Sequence, residues 1–264
     1  MATYLDAILQ AHRTAAQADN RNLEQLIDQA RLLPKTRGFA AALNASTKLA
    51  VIAEVKRRSP SKGVLSADLD PILLCQSYAS GGASCLSVLT DEDYFGGSAE
   101  DLAAARGAVS LPVLRKDFTV SAHDVCDARL MGADCVLLIA AALDDVELQD
   151  FSELATELGM DSLVEIHDEA ELERAVSCTS AKLLGVNQRD LETFMVDQAR
   201  ALRLAAIMPA NSIRVAESGV RGQEDALALA TAGYHAVLVG EHLVRSADPS
   251  AAISKLRVAL PVRG

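Results

Sequence analysis

A glutamate and a lysine two residues apart, at the end of an aliphatic run, are the first sign of chemistry in this chain. In Leu49-Ala50-Val51-Ile52-Ala53-Glu54-Val55-Lys56 strand alternation directs Glu54 and Lys56 to the same side as Ile52. A carboxylate and an ammonium at the mouth of a buried strand can hold an anionic substrate and exchange protons with it. Ser59-Pro60-Ser61-Lys62-Gly63 then breaks the strand into a loop of hydroxyls and positive charge, suited to an anion. A solvated ion pair at a strand end is the competing account.

Recurrence favours the site. Further aliphatic runs close on Arg115-Lys116-Asp117-Phe118, Glu165, Asn187-Gln188-Arg189, Glu217-Ser218-Gly219 and Gly240-Glu241, while Thr90 leads into Asp91-Glu92-Asp93-Tyr94-Phe95. In the N-terminal halves of the runs the only charge is Arg214. Charged groups are rarely buried unpaired, so such one-ended placement predicts a single polar cluster above an apolar core.

The elements that must position this cluster are legible in the same runs, at 49–56, 85–90, 111–118, 135–140, 162–167, 183–190, 213–219 and 236–241. Between them lie stretches with helical spacing, such as 144–158 and 223–232, and entries through Gly82-Ala83, Gly132-Ala133 and Gly233-Tyr234. Successive strand ends mostly fall ~22 to 30 residues apart, one βα unit each. Eight such units predict a parallel (β/α)8 TIM barrel, with chemistry at the C-terminal strand ends. A doubly wound open sheet would normally carry a Gly-rich phosphate loop after its first strand, and no G-x-G-x-x-G occurs.

Residues 1–48 read as an N-terminal helical extension. Leu5, Ile8, Leu9 and His12 recur at helical spacing, Asn22 can cap a second helix carrying Leu23, Leu26 and Ile27, and Leu33-Pro34 ends it. The extension serves as a brace or as a lid over one end. With the barrel at 49–264 the expectation is one structural domain.

Composition bounds the function. Among 264 residues half are hydrophobic, Trp is absent and aromatics are few, so the core must be aliphatic. A net charge of −11 argues against nucleic acid or an anionic membrane as main partner. Five cysteines without a C-x-x-C pair read as buried thiols in a reducing compartment. With no signal-peptide core and no membrane-length apolar run, the expected location is cytoplasmic. His12, His123, His167, His235 and His242 show no H-x-x-x-H or facial-triad spacing, so no metal site is expected, and His167 reads as a core or loop histidine.

The stretches IAEVKRRSPSKG, TDEDYFGGS, LPVLRKDF, LVEIHDEAEL, GVNQRDL, VAESGV and VLVGE, in this order, resemble the indole-3-glycerol phosphate synthase family. The resemblance spans essentially the whole chain, the helical extension included. It implies a cofactor-free TIM-barrel carboxy-lyase of tryptophan biosynthesis. The family closes the ring of 1-(o-carboxyphenylamino)-1-deoxyribulose 5-phosphate, with loss of carbon dioxide and water, to give indole-3-glycerol phosphate. That small phosphosugar is the expected partner, and a monomer the expected state.

The residues suit that chemistry. An aromatic carbon must attack the ribulosyl C2 carbonyl, whose oxygen needs a proton as it gains charge. Lys116 is assigned as this acid, tuned by Glu54 and Lys56. Lys56 holds the substrate carboxylate, Glu165 accepts or shuttles protons in dehydration, Glu54 orients the lysines, and Glu217 and Asn187 bond the sugar hydroxyls. Phosphate falls to Ser59 and Lys62, Ser218-Gly219, and Gly240-Glu241 with the Glu241 carboxylate turned away. Arg189 is a further binding residue. Phe118, Leu184 and, if the extension covers the mouth, Phe39 are candidates for the aryl pocket. Two positions depart from the usual family pattern: Gln188 replaces an Asn, and His242 stands where a small residue is common. His242 either faces solvent or adds charge to phosphate binding when protonated.

Other readings are weaker. A phosphosugar isomerase needs an acid and a base but no carboxylate-holding lysine. A Schiff-base aldolase would form an imine that borohydride traps. A ligand sensor on an inactive barrel would not need the full charged set.

Overall fold

The computed structural model describes residues 4–59, 62–190 and 193–261. Pro60 and Ser61 of the first loop lie outside the described residues.

Eight parallel strands form a closed barrel: β1 (Ala50–Val55), β2 (Cys85–Leu89), β3 (Val113–Lys116), β4 (Cys135–Ile139), β5 (Asp161–Ile166), β6 (Leu183–Asn187), β7 (Ile213–Glu217) and β8 (Ala236–Val239). Each pairs with its sequence neighbours, and β1 closes the ring by pairing both β2 and β8. The eight aliphatic runs are thus the eight strands, trimmed by up to three residues at an end, with β5 starting one residue ahead of its run.

Strand alternation sorts their side chains into two cores. Ile52, Leu114, Leu137, Leu163, Leu183, Val215 and Leu238 fill the barrel interior. Val51, Val88, Val136, Val164, Leu184 and Val237 face outward against the helices. Leu184 is therefore no part of an aryl pocket: residues 183, 185 and 187 share one face of β6, and 184 takes the other.

The outer layer comprises α4 (Pro71–Ser80), α5 (Ala99–Ala108), α6 (Ala122–Leu130), α7 (Asp145–Glu157), α8 (Glu169–Cys178), α9 (Gln198–Ala205), α10 (Gln223–Thr231), and, after β8, α11 (Glu241–Val244) and α12 (Pro249–Leu256). Asp and Ser caps start most of them; Asp144 and Glu147 form a reciprocal capping box on α7. Gly82, Gly132 and Gly233 adopt left-handed φ of 86°, 95° and 94° at the helix-to-strand turns, a conformation that disfavours a Cβ.

The extension is both brace and cover. Helix α1 (Tyr4–Ala18) lies over the C-terminal mouth, where Tyr4 packs edge-on against Tyr94 and Phe194. Helix α2 (Leu23–Arg31), capped by Asn22, runs down the outside against α6. Helix α3 (Phe39–Asn44) closes the opposite end, burying Phe39 and Leu43 among the first residues of the strands. Phe39 thus plugs the barrel floor and does not reach the mouth; its own carbonyl faces the Cys85 thiol at the start of β2.

Candidate active site

The C-terminal ends of the strands surround a cavity of about 1230 Å³. Its floor carries the one-ended polar cluster. Glu54 ends the inward face of β1, Lys116 that of β3, Glu165 that of β5, Asn187 that of β6 and Glu217 that of β7, all lining the same space with Lys56. Alternation on eight tilted strands brings together residues separated by up to 163 positions.

The cluster is tightly paired. Lys116 Nζ lies 3.1 Å from Glu165 Oε2 and 3.9 Å from Glu217 Oε2. Asn187 Nδ2 donates to Glu165 Oε1 at 3.1 Å, so Asn187 fixes that carboxylate. Lys56 donates to Glu54. Glu54 therefore contacts Lys56, whereas Lys116 is held by the two acids across the barrel. The carboxylates are almost completely buried, while each ammonium retains 17% exposure toward the cavity.

Two glycines make room for it. A Cβ at Gly185 would overlap Glu217 Oε1, and one at Gly240 would overlap Glu54 Oε1. Gly240 is thus required by the Glu54–Lys56 pair as well as by any close approach of ligand.

The electrostatics separate the two central acids. Burial raises both carboxyls. At Glu165 the charges of Lys116 and His167 and the Asn187 hydrogen bond outweigh burial and bring its pKa down to about 2. Glu217 faces burial and the negative Glu165 together, and Lys116 does not compensate, so it is held well above the ordinary carboxylate range. Burial also disfavours charged Lys116, but Glu165, Glu217 and Glu54 outweigh it and raise its pKa. Lys56 does not figure in that balance. The floor thus sets a carboxyl pushed down, a carboxyl pushed up and a lysine within one contact chain.

Above the floor, the cavity divides. Ser59, Lys62, Ser218, Gly219, Gly240 and His242 line one side with Arg221 and Arg245. Ser218 and Gly219 both take left-handed φ, 65° and 73°. Glu241 is not turned away: it lines the cavity 3.9 Å from Lys62 Nζ and 4.0 Å from Arg245 Nε, so two cations oppose its charge. Phe118, Phe95, Leu89 and Ile139 line the apolar side. Arg189 lines the cavity too, its guanidinium bonded to the Phe194 carbonyl at 2.9 Å. Gln188 donates to the Ser218 carbonyl at 2.7 Å and so braces the loop after β7.

The indole-3-glycerol phosphate synthase sequence profile matches residues 5–256. The chain is 49% identical over 257 residues to the indole-3-glycerol phosphate synthase of Mycolicibacterium vanbaalenii, covering 97% of this chain and 94% of that one. It is 48% identical to the enzyme of the same name from Mycolicibacterium smegmatis, with the same coverage. The chain belongs to the indole-3-glycerol phosphate synthase family. The family's carboxy-lyase step in tryptophan biosynthesis is its function. Among solved structures, 3-hexulose-6-phosphate synthase from Salmonella typhimurium superimposes with a TM-score of 0.61 at 15% identity, covering 79% of this chain and 96% of that one. Thiamine phosphate pyrophosphorylase from Pyrococcus furiosus gives 0.60 at 14%, covering 80% and 94%. These two likenesses concern the barrel fold alone.

In this indole-3-glycerol phosphate synthase family member, the sequence reading missed the means by which the extension reaches the site. His12 Nε2 on α1 lies 3.0 Å from Asp91 Oδ2 and 3.9 Å from Asp117 Oδ1, and its ring packs on Phe118 with centroids 5.4 Å apart. Asp91 also accepts from the backbone of Tyr94 and Phe95, and Asp117 from Arg115, Thr90 and its neighbour Phe118. These three side chains approach closely enough to share a cation. Their oxygens are already committed to ordering the loops that carry Phe95 and Phe118, so we read a latch. Leu89 and Ile139 could have been found by following inward strand parity to the end of each apolar run; the latch has no local signal.

Burial opposes protonation of His12, but the Asp91 hydrogen bond and the charges of Asp117, Asp91 and Asp124 outweigh it and raise its pKa. A raised folded pKa means the latch stabilises fully below the unfolded value of about 6.5 and is lost as pH rises through the folded value. The melting-temperature gap between wild type and His12→Ala is expected to be wider at about pH 6 than at about pH 9. An equal gap at both would leave only ring packing against Phe118.

Proposed function

We propose that the chain converts 1-(o-carboxyphenylamino)-1-deoxyribulose 5-phosphate to indole-3-glycerol phosphate with the floor cluster as its acid–base machinery. The observation that carries this is the Lys116 ammonium 3.1 Å from Glu165 and 3.9 Å from Glu217, two buried carboxyls whose surroundings push their pKa values in opposite directions, with Lys56 facing the same space. Lys116 delivers a proton to the C2 carbonyl oxygen as the aromatic carbon attacks it. Lys56, oriented by Glu54, holds the substrate carboxylate until it leaves as carbon dioxide. Glu165, oriented by Asn187, then takes the ring proton during dehydration. Glu217, whose carboxyl burial and Glu165 push toward the protonated form, donates to a sugar hydroxyl and supplies the proton with which hydroxide leaves as water.

The aryl group occupies the side formed by Phe118 and Phe95. The phosphate lies on the side of Ser59, Lys62, Ser218, Gly219, Gly240 and Glu241, with Arg189 fastening the neighbouring loop. His242 lines that side and adds charge when protonated. Extension and barrel act as one structural domain, since α1 covers the cavity and α3 plugs the floor. The net charge of −11 supports a small anionic substrate held by local cations over any nucleic acid. Among the described residues no helix is long and apolar enough to cross a membrane. A cytoplasmic monomer accords with the buried free thiols and the aliphatic core.

The decisive assay supplies the carboxyphenylamino-deoxyribulose phosphate without added metal and follows indole fluorescence and carbon dioxide together. Neither signal appearing would remove the proposal. Within it, Lys56→Ala is expected to weaken binding of the substrate and its reduced analogue about 10-fold or more, the worth of a charge-assisted hydrogen bond. An analogue lacking the carboxylate should be affected much less. Equal weakening of both would take Lys56 out of that role.

A further inference from the structure

The overall reaction proposed above does not conserve protons within the site. The substrate enters with an ionised carboxylate and leaves it as neutral carbon dioxide. The ketone oxygen takes one proton to become a hydroxyl, the hydroxyl takes a second to leave as water, and the ring returns only one. One proton per turnover must come from solvent, either through the mouth past the bound substrate or by a route outside the cavity.

His167 offers another way in. It follows Glu165 on β5 by two residues and approaches that carboxylate from outside the cavity; neither His167 nor Glu171 lines the cavity. Its Nε2 is buried without a hydrogen-bond partner, 3.6 Å from Glu165 Oε1. Its Nδ1 lies 3.0 Å from Glu171 Oε2, and the same oxygen accepts the His167 backbone N–H at 2.7 Å. Exposure rises outward along this row: 1% at Glu165, 11% at His167 and 16% at Glu171. A shift of about 0.7 Å brings Nε2 to hydrogen-bond distance of Glu165.

We propose that His167 is a proton-relay residue, acting through Glu165, that carries the solvent proton consumed in each turnover from Glu171 into the site. With the ring proton on Glu165, the imidazolium passes its Nε2 proton to Glu165 Oε1 as Glu165 gives the ring proton from its other oxygen to Lys116, 3.1 Å away; the proton left on Glu165 then reloads Glu217 by way of Lys116, 3.9 Å from it, and Glu165 is a carboxylate again. His167 regains a proton on the Glu171 side. No bond other than N–H and O–H changes. The groups facing the ring are Glu165 on β5, Glu171 on α8 and Arg200 on α9; burial and Arg200 oppose its charge, but the two carboxylates outweigh them and raise its pKa. An imidazole serves because it has two nitrogens, one for each neighbour.

This inference rests on the reading of the floor cluster, and the test separates the two. His167→Ala is expected to lower turnover about 10-fold or more, with added imidazole restoring it in a saturable way, while affinity for the reduced substrate analogue stays within about twofold. His167→Gln, which can still bond Glu171 but carries no transferable proton, is expected to lose as much turnover and to show no rescue, since the glutamine occupies the space. Turnover of the Gln variant within twofold of wild type from about pH 6 to about pH 9, or an Ala variant that imidazole does not revive, would overturn the relay. A wild-type enzyme that forms no indole product would instead remove the underlying reading.

Discussion

Lys116→Met is expected to lower turnover by about 10²–10⁴-fold or more while leaving affinity for the reduced substrate analogue largely intact. The ammonium sits at the centre of the floor, 3.1 Å from one carboxylate and 3.9 Å from another, with its remaining exposure toward the cavity. Its task falls in the transition state, where charge develops on the carbonyl oxygen, so kcat carries the loss more than KM. The raised pKa bears on how it acts. Lys116 holds its proton firmly in the resting site, so transfer is favourable only once the oxygen has become strongly basic. Methionine matches its length without a donor. The variant should still fold, because Glu165 and Glu217 can share a proton once the cation between them is gone. Lys116→Arg retains charge but spreads it over a planar fork too large for the gap, so it should not recover the rate. Near wild-type turnover in a folded Met variant would exclude Lys116 as the acid.

Glu165→Gln is expected to cost about 10²–10⁴-fold in turnover as well, with a different signature. Glutamine can still accept from Asn187 and fills the same volume, but it cannot take a proton. Removing the Glu165 charge also removes the like-charge repulsion that helps hold Glu217 protonated. Glu217 should become more acidic and ionise beside Lys116. The residual activity should therefore decline at a lower pH on its alkaline side than wild type does, because the donor for the leaving hydroxyl is lost earlier. Pre-steady-state traces should show the hydroxy-indoline species accumulating, since ring closure depends on Lys116 and dehydration on Glu165. A Gln variant with the wild-type pH profile and no accumulation would separate Glu165 from dehydration and break the dyad argument.

Much of this was readable before any coordinates. Continuous aliphatic runs at βα spacing determine a parallel barrel, because strands apolar on both sides need both faces covered. The location of charge at only one end of those runs determined which mouth of the barrel carries the chemistry. Glu54, Lys56, Lys116, Glu165, Asn187 and Glu217 were all found in this way, and all line one cavity.

What the sequence left open depends on distances between residues remote in the chain. Leu184 is the exception, decided within its own run: Asn187 faces inward, and alternation puts Leu184 outside. Phe39 is a candidate for the mouth only if the extension carries it there, and the path of α2 down the barrel wall takes α3 to the opposite end instead. His12 meets Asp91 across 79 residues, a pairing no local pattern encodes. The same holds for the division of labour between Glu165 and Glu217. Both are glutamates ending buried strands, alike in composition and context. Which one ionises is decided by which stands nearer Lys116, Asn187 and His167, because a carboxylate's charge is set by the sum of its neighbours in a poorly screened interior.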